Sequence, residues 1–213
     1  MLKTVRIFFS KTGRAKYISH LDLTRTMSRA VRRAAIPLWY TEGFNRHPYL
    51  TFAAPLSLGY EGLRETMDLR LEEDMEPAEL VARLDAVMPE GLHILSAAEA
   101  VAKPGDLAAA EYRMTLSCPA DKVRDALALP ELNVEKKTKK KTMKTIDIRP
   151  YFEKADVTAE GENTMVQVTL PSGSTENINP GLLPAALEAL YGEKVRCDVV
   201  RLRVLQMNGT EFA

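Results

Sequence analysis

An α+β fold of two consecutive βαββαβ halves follows from three features of the sequence. Apolar runs of strand composition alternate with amphipathic helical segments in the order β-α-β-β-α-β. The order recurs in the second half of the chain, and the polar stretch KPGDLAAA (103–110) separates the two repeats.

TVRIFF (4–9) concentrates Val, Ile and Phe and ends in the polar turn SKTGR, which predicts a strand and a loop. From Ser19 the period changes. Leu23, Met27, Ala30, Val31 and Ala34 recur at intervals of three and four and Pro37 closes the run, so a helix is predicted with Ser19 or Asp22 as its N-cap. WYTEGF, NRHP and YLTFAAPLSL read as extended chain, tight turn and extended chain, because the aromatics favour sheet while Asn and Pro punctuate. In ETMDLRLEE, Met67, Leu69 and Leu71 alternate with Asp68, Arg70 and Glu72, the pattern of a half-buried strand. PAELVARLDAVMP is an amphipathic helix with proline in its first turn and just past its end, and GLHILSAAEAV returns as a strand in which His93 is expected to be packed.

The second repeat runs EYRMTLSC (strand), ADKVRDALAL (helix), TIDIRPYF and TMVQVTL (a middle hairpin), NPGLLPAALEALYG (helix) and VRCDVVRLRVLQM (strand). The split βαβ order in each half is that of a ferredoxin-like domain, with antiparallel sheets. The halves are placed at 1–102 and 103–213, the second carrying a lysine-rich insertion at 136–144.

With 213 residues the chain is long enough for two small cores, and 46% hydrophobic with 27% charged residues is ordinary globular composition. No apolar run approaches the roughly 20 residues of a membrane span, and the N-terminus lacks a secretory pattern, so a cytoplasmic protein without membrane contact is expected. Cys118 and Cys197 stand far apart and are read as reduced structural thiols. An iron–sulfur cluster of the radical-SAM kind takes three closely spaced cysteines, which this chain does not offer.

Net charge is zero but strongly sorted. Residues 1–49 carry ten Lys/Arg against two Asp/Glu, and 50–135 carry seven against seventeen. Residues 136–149 carry seven against one, and 150–213 five against nine. On the first helix Arg25, Arg29, Arg32 and Arg33 fall within an arc of roughly 100°, opposite the apolar stripe. Guanidinium groups match phosphate oxygens bidentately, so such a row suits a nucleic-acid backbone; it equally suits a solvated face. In KKTKKKTMK the six lysines Lys136, Lys137, Lys139, Lys140, Lys141 and Lys144 repel one another unless an anion screens them. A flexible basic loop touching RNA and a soluble insertion are the two readings. Lysines on phosphates carry no sequence specificity.

His20 in SHLDLTR and His47 in EGFNRHPYLTF are the candidate catalytic pair, with Lys11, Arg14 and Asp22 as neighbours, since histidine titrates near neutrality. The same residues also make sense as a capping and turn network through Asp22 and Asn45. No third ligand stands at metal spacing, and Walker, GxGxxG, GxSxG and HExxH motifs are absent, so neither cofactor nor metal is expected.

The segment FFSKTGRAKYISHLDLTRTMSRAVRRAAIPLWYTEGFNRHPYLTFAAPLSLGYEG, together with KKTKKKTMKTIDIRPY and GSTENINPGLL, resembles the uncharacterised radical-SAM-linked family, found as stand-alone chains or C-terminal extensions of radical-SAM proteins. That family commonly reads Asn-Pro-His-Pro where Asn45-Arg46-His47-Pro48 stands here. The resemblance implies association with a radical-SAM protein acting on RNA or the translation apparatus. The tandem layout is also similar to that of RAMP-type endoribonucleases and, more loosely, tRNA pseudouridine synthases.

The leading expectation is an RNA-binding accessory of a separate radical-SAM enzyme, working in tRNA or rRNA modification and not itself catalytic. Lys11, Arg14, the four helix arginines and the 136–144 lysines would hold phosphates, while Asp22, Asn45 and Arg46 would contact the partner or the reacting nucleotide. Two alternatives stand beside it. One is a metal-independent endoribonuclease or RNA-modifying enzyme using His20 and His47; the other is a protein-interaction module that docks a basic partner on the acidic block 61–90 without RNA.

Overall fold

The computed structural model describes residues 3–137 and 143–213. In chain order the elements are β1 (Lys3–Lys11), a 3-10 turn (Gly13–Tyr17), α1 (His20–Arg33), β2 (Leu50–Thr51), β3 (Glu61–Leu71), α2 (Pro77–Asp85) and β4 (Leu92–Glu99). A second 3-10 turn (Pro104–Asp106) leads to β5 (Leu107–Leu116), α3 (Ala120–Ala128), β6 (Asn133–Lys137), β7 (Met143–Asp147) and α4 (Arg149–Phe152). β8 (Asp156–Glu160), β9 (Asn163–Pro171), α5 (Leu182–Tyr191) and β10 (Cys197–Gln206) complete a mixed α+β fold with antiparallel pairing. The chain forms two compact units, residues 1–108 with 203–213, and residues 109–202.

In the first unit β1 lies between β4 and β3, and β2 pairs the far side of β3. Strand alternation sends Val5, Ile7 and Phe9 to the same face as Met67, Leu69 and Leu71. Leu23, Met27, Ala30 and Val31 of α1 and Leu80 and Leu84 of α2 close over that face, so the helical periodicity ends in one apolar core. The opposite face buries a different set. Arg6, fully buried, gives its Nε and Nη2 to the two carboxylate oxygens of Asp68 at 2.8 and 2.9 Å, and lies 3.9 Å from the centre of the Phe212 ring. Phe212 arrives there because the chain turns back after β10: Gln206 N–H donates to Thr210 O and Phe212 N–H to Val204 O. Ala102 N–H then donates to Ala213 O at 2.9 Å, and Arg64 ion-pairs with Glu211.

In the second unit the strand order is β10–β5–β9–β8. Tyr112, Met114 and Leu116 of β5 and Val166, Val168 and Leu170 of β9 alternate inward; Val123 and Ala126 of α3 and Leu183 and Leu187 of α5 are likewise buried. β6 and β7 form a separate two-stranded sheet, with Lys136 opposite Lys144.

Three elements differ from expectation. TIDIRPYF is not a strand of the middle hairpin. The Asp147 carboxylate accepts the N–H groups of Leu132 and Arg149 at 2.8 and 3.0 Å, and Pro150, with its fixed φ, starts the short helix α4. The middle hairpin is β8–β9, closed by Gly161 at φ +63°, a backbone position that favours glycine. Of YLTFAAPLSL only Leu50–Thr51 pairs as strand. His93 is exposed rather than packed: Leu92 and Ile94 take the inward positions of β4, and its ring lies 3.7 Å from Asp85.

Candidate nucleic-acid interface

The first helix starts where Ser19 turns from extended to helical backbone and its hydroxyl oxygen accepts Asp22 N–H at 3.1 Å. Ser19 is therefore the cap. Its hydroxyl donates in turn to the Asp22 carboxylate at 2.7 Å, and that bond, with Arg25 beside it, holds the Asp22 carboxyl below the usual carboxylate range. Because the apolar stripe is buried against the sheet, Arg25, Arg29, Arg32 and Arg33 all face solvent. They differ in what holds them. Arg25 lies 3.3 Å from Asp22, Arg33 donates to Val87 O at 2.6 Å, and Arg32 sits 5.8 Å from the centre of the Tyr40 ring. Arg29 has no ion-pair partner among the described residues.

Beyond α1 the loop 38–49 adds an aromatic surface, although its composition by itself predicts only sheet. Trp39 N–H donates to Arg70 O on β3, and Tyr49 N–H to Trp39 O, which ties the loop to the sheet. The Arg70 guanidinium then lies 5.0 Å from the Trp39 ring centre and 4.6 Å from that of Tyr49, in cation–π range of both. Phe44 at the loop tip is fully exposed. The signal is present as aromatics interleaved with basic residues in WYTEGFNRHPY, but the Arg70 partner is distant in sequence and only the fold supplies it.

The two histidines have separate surroundings. His20, first residue of α1, meets Phe52 edge-to-face at 5.1 Å, and Phe52 leans on buried Phe9 at 6.2 Å. His47 closes its own loop: Thr41 N–H donates to its carbonyl at 3.0 Å, and its Nδ1 lies 3.1 Å from both Thr41 Oγ1 and Asn45 O. A carbonyl can only accept, so in the neutral ring the bond to Asn45 makes Nδ1 the donor and leaves Nε2 as the base nitrogen. Asn45 and Arg46 stand exposed at the tip of this loop.

Arg14 is exposed on the 3-10 turn, whereas Lys11 is only 2% exposed and gives its Nζ to Lys16 O at 3.2 Å. Lys11 is thus held inside the fold. Around it, Gly62 pairs with Lys11 across the strands and lacks the Cβ that would collide with the buried Glu65 side chain. In the second unit Lys144 is exposed on β7 and Lys136 and Lys137 lie on β6; Lys139, Lys140 and Lys141 fall outside the described residues.

Among the described residues, no group of three His, Cys, Asp or Glu side chains converges as metal ligands would, and no helix is long and apolar enough to cross a membrane. Cys118 and Cys197 are free thiols; burial, then Asp198 and Cys118, push the Cys197 thiol up to about 12.

No curated protein is similar to the chain at a significant level. Among solved structures, a protein of unknown function from Galdieria sulphuraria is similar over 95% of this chain and 99% of its own, at 12% identity and a TM-score of 0.30, too loose a likeness to support the fold. A profile described as "Uncharacterized protein conserved in bacteria (DUF2344)" matches residues 4–180, and the chain belongs to that family.

Proposed function

We propose that the protein is an RNA-binding accessory that presents tRNA or rRNA to a separate radical-SAM enzyme. The observation that carries the RNA half is the exposed arginine row of α1, continued through Tyr40 and Trp39 to Arg70. Guanidinium groups pair with phosphates, and neighbouring aromatic faces stack on unpaired bases, a combination that binds single strands without requiring a particular sequence. Asp22 is the one acid on this helix and it is engaged by Ser19 and Arg25, so the surface keeps its positive sign.

The radical-SAM half rests on the resemblance of residues 8–62 to radical-SAM-linked sequences and on the cysteines. These 213 residues hold two cysteines, so the three-cysteine iron–sulfur cluster would be held outside them. The strand orders β4–β1–β3–β2 and β10–β5–β9–β8 also support reading each unit as a ferredoxin-like half, a layout shared by many RNA-handling proteins.

The test is the salt dependence of binding to a fluorescent single-stranded RNA. Replacing Arg25 and Arg29 with Ala should weaken binding across sequences and lower the log–log salt slope by roughly 0.7 for each phosphate no longer neutralised. Unchanged affinity and slope would return the row to a solvated helix face. In a parallel reaction, adding the chain to the radical-SAM partner should raise the yield of modified RNA, and no change in yield would remove the accessory role.

A further inference from the structure

The second unit holds a cavity of about 370 Å³ that the RNA surface of the first unit does not use. Arg124 and Leu127 line it from α3, Arg149 and Phe152 from α4, Glu153 from the residue after α4, and Val157 from β8. Its volume lies near the lower end of ligand pockets, roughly 300 to 1,000 Å³, and suits a body the size of one nucleotide.

Two guanidinium groups come to this cavity in different states. Arg124 is pinned at its place, donating to Val157 O at 2.9 Å and to Asp121 at 3.2 Å. Arg149 has its backbone N–H on the Asp147 carboxylate, but its side-chain Nε is closed to solvent and has no acceptor among the described residues. Buried donors are nearly always hydrogen-bonded, so the Arg149 guanidinium is one whose donors the described residues do not fully satisfy. Phe152, 1% exposed, with Leu127 and Val157 makes an apolar lining, and exposed Glu153 at the rim can accept from an N–H or O–H of a ligand.

We propose that this cavity binds a phosphomonoester on a nucleotide-sized body, the phosphate between Arg124 and Arg149 and the body on Leu127, Phe152 and Val157. Planar guanidinium groups recognise a phosphate dianion through paired N–H bonds, which an isolated lysine would not provide. The phosphate could belong to a free mononucleotide or to the end of an RNA chain. The assignment does not depend on the arginine row of α1.

The test uses the full chain at constant ionic strength and follows the phosphorus NMR line of adenosine monophosphate and of inorganic phosphate. Saturable broadening is expected for both, with adenosine monophosphate the tighter and adenosine unable to displace it. Arg149→Gln should weaken binding about tenfold or more, the reduction expected for a charge-assisted bond. Arg124→Gln, at an exposed position, should weaken it in the same direction and serves if Arg149→Gln does not fold. A 5′-phosphorylated oligoribonucleotide that binds more tightly than its 5′-hydroxyl form and than adenosine monophosphate assigns the phosphate to an RNA end; equal or weaker binding assigns it to a free nucleotide. Absence of saturable broadening with the unaltered chain, or unchanged binding in both arginine variants, overturns the proposal.

Discussion

Replacing Asp68 with Asn removes one charge from an ion pair that solvent barely reaches, the side chains of Arg6 and Asp68 being 0% and 11% exposed. The guanidinium would keep its bond to Ala102 O at 2.8 Å and its packing on the Phe212 ring, but lose the carboxylate that balances its charge. Its Nη1 already has no acceptor among the described residues, so no spare partner stands ready. Removing one member of such a buried pair costs about 3–5 kcal/mol, because the remaining charge is left desolvated and unpaired. Whole-domain stabilities are about 5–15 kcal/mol, so the first unit would give up a large share of its margin. Replacing both partners at once, Arg6→Met with Asp68→Leu, removes the charge together with its counter-charge and should recover most of the stability. Trp39 is the single tryptophan and lies in the first unit, so urea unfolding followed by its fluorescence reads that unit. A cost below about 1 kcal/mol for Asp68→Asn, or a double variant no more stable than the worse single one, would show that Asp68 does not balance a buried Arg6 charge.

Ala35→Gly should stabilise the protein by about 1 kcal/mol, an unusual sign for a glycine substitution, and a thermal melt would show it. Ala35 has φ +50° at the end of α1, where Ile36 N–H reaches Val31 O and Ala35 N–H reaches Arg32 O, the arrangement in which glycine normally stands; a lower melting temperature would contradict this account. Cys197 should resist alkylation in the folded protein at pH 8. With its thiol held at about 12 by burial, Asp198 and Cys118, the thiolate fraction falls on the order of a thousandfold below that of a free cysteine, and the rate should rise only as pH approaches that value or the protein unfolds. Rapid labelling of native protein at pH 8, read by mass spectrometry, would contradict the raised thiol pKa.

Much of the first unit is legible in the sequence because its signals are local. The i, i+3, i+4 spacing of Leu23, Met27, Ala30 and Val31 and the alternation of Met67, Leu69 and Leu71 each report one buried face without reference to any partner. The same periodicity puts the α1 arginines on the exposed side. The elements that depart from expectation are those decided by a competing local bond or a distant one. TIDIRPYF carries enough Ile, Tyr and Phe to look extended, yet the Asp147 carboxylate takes two backbone donors and ends the strand. Lys11 looks in sequence like one more surface cation beside Arg14; its inward position on β1 and the Lys16 carbonyl hold it inside.

The helix faces, a cap at either Ser19 or Asp22, the α+β class and the sorting of charge are readable from the sequence by itself, since each depends on residues within a turn or a strand of one another; the bond from Asp22 N–H to the Ser19 hydroxyl then settles the cap on Ser19. Tertiary structure alone decided that residues 203–213 return to the first unit, where Phe212 covers Arg6. It alone decided that Trp39 and Tyr49 flank Arg70, and that Arg124 and Arg149 meet at one cavity. These meetings join residues from separate elements, and no period along the chain encodes them: they exist because burying the apolar faces fixes where each strand and helix must lie, and the polar side chains then take the neighbours that packing brings.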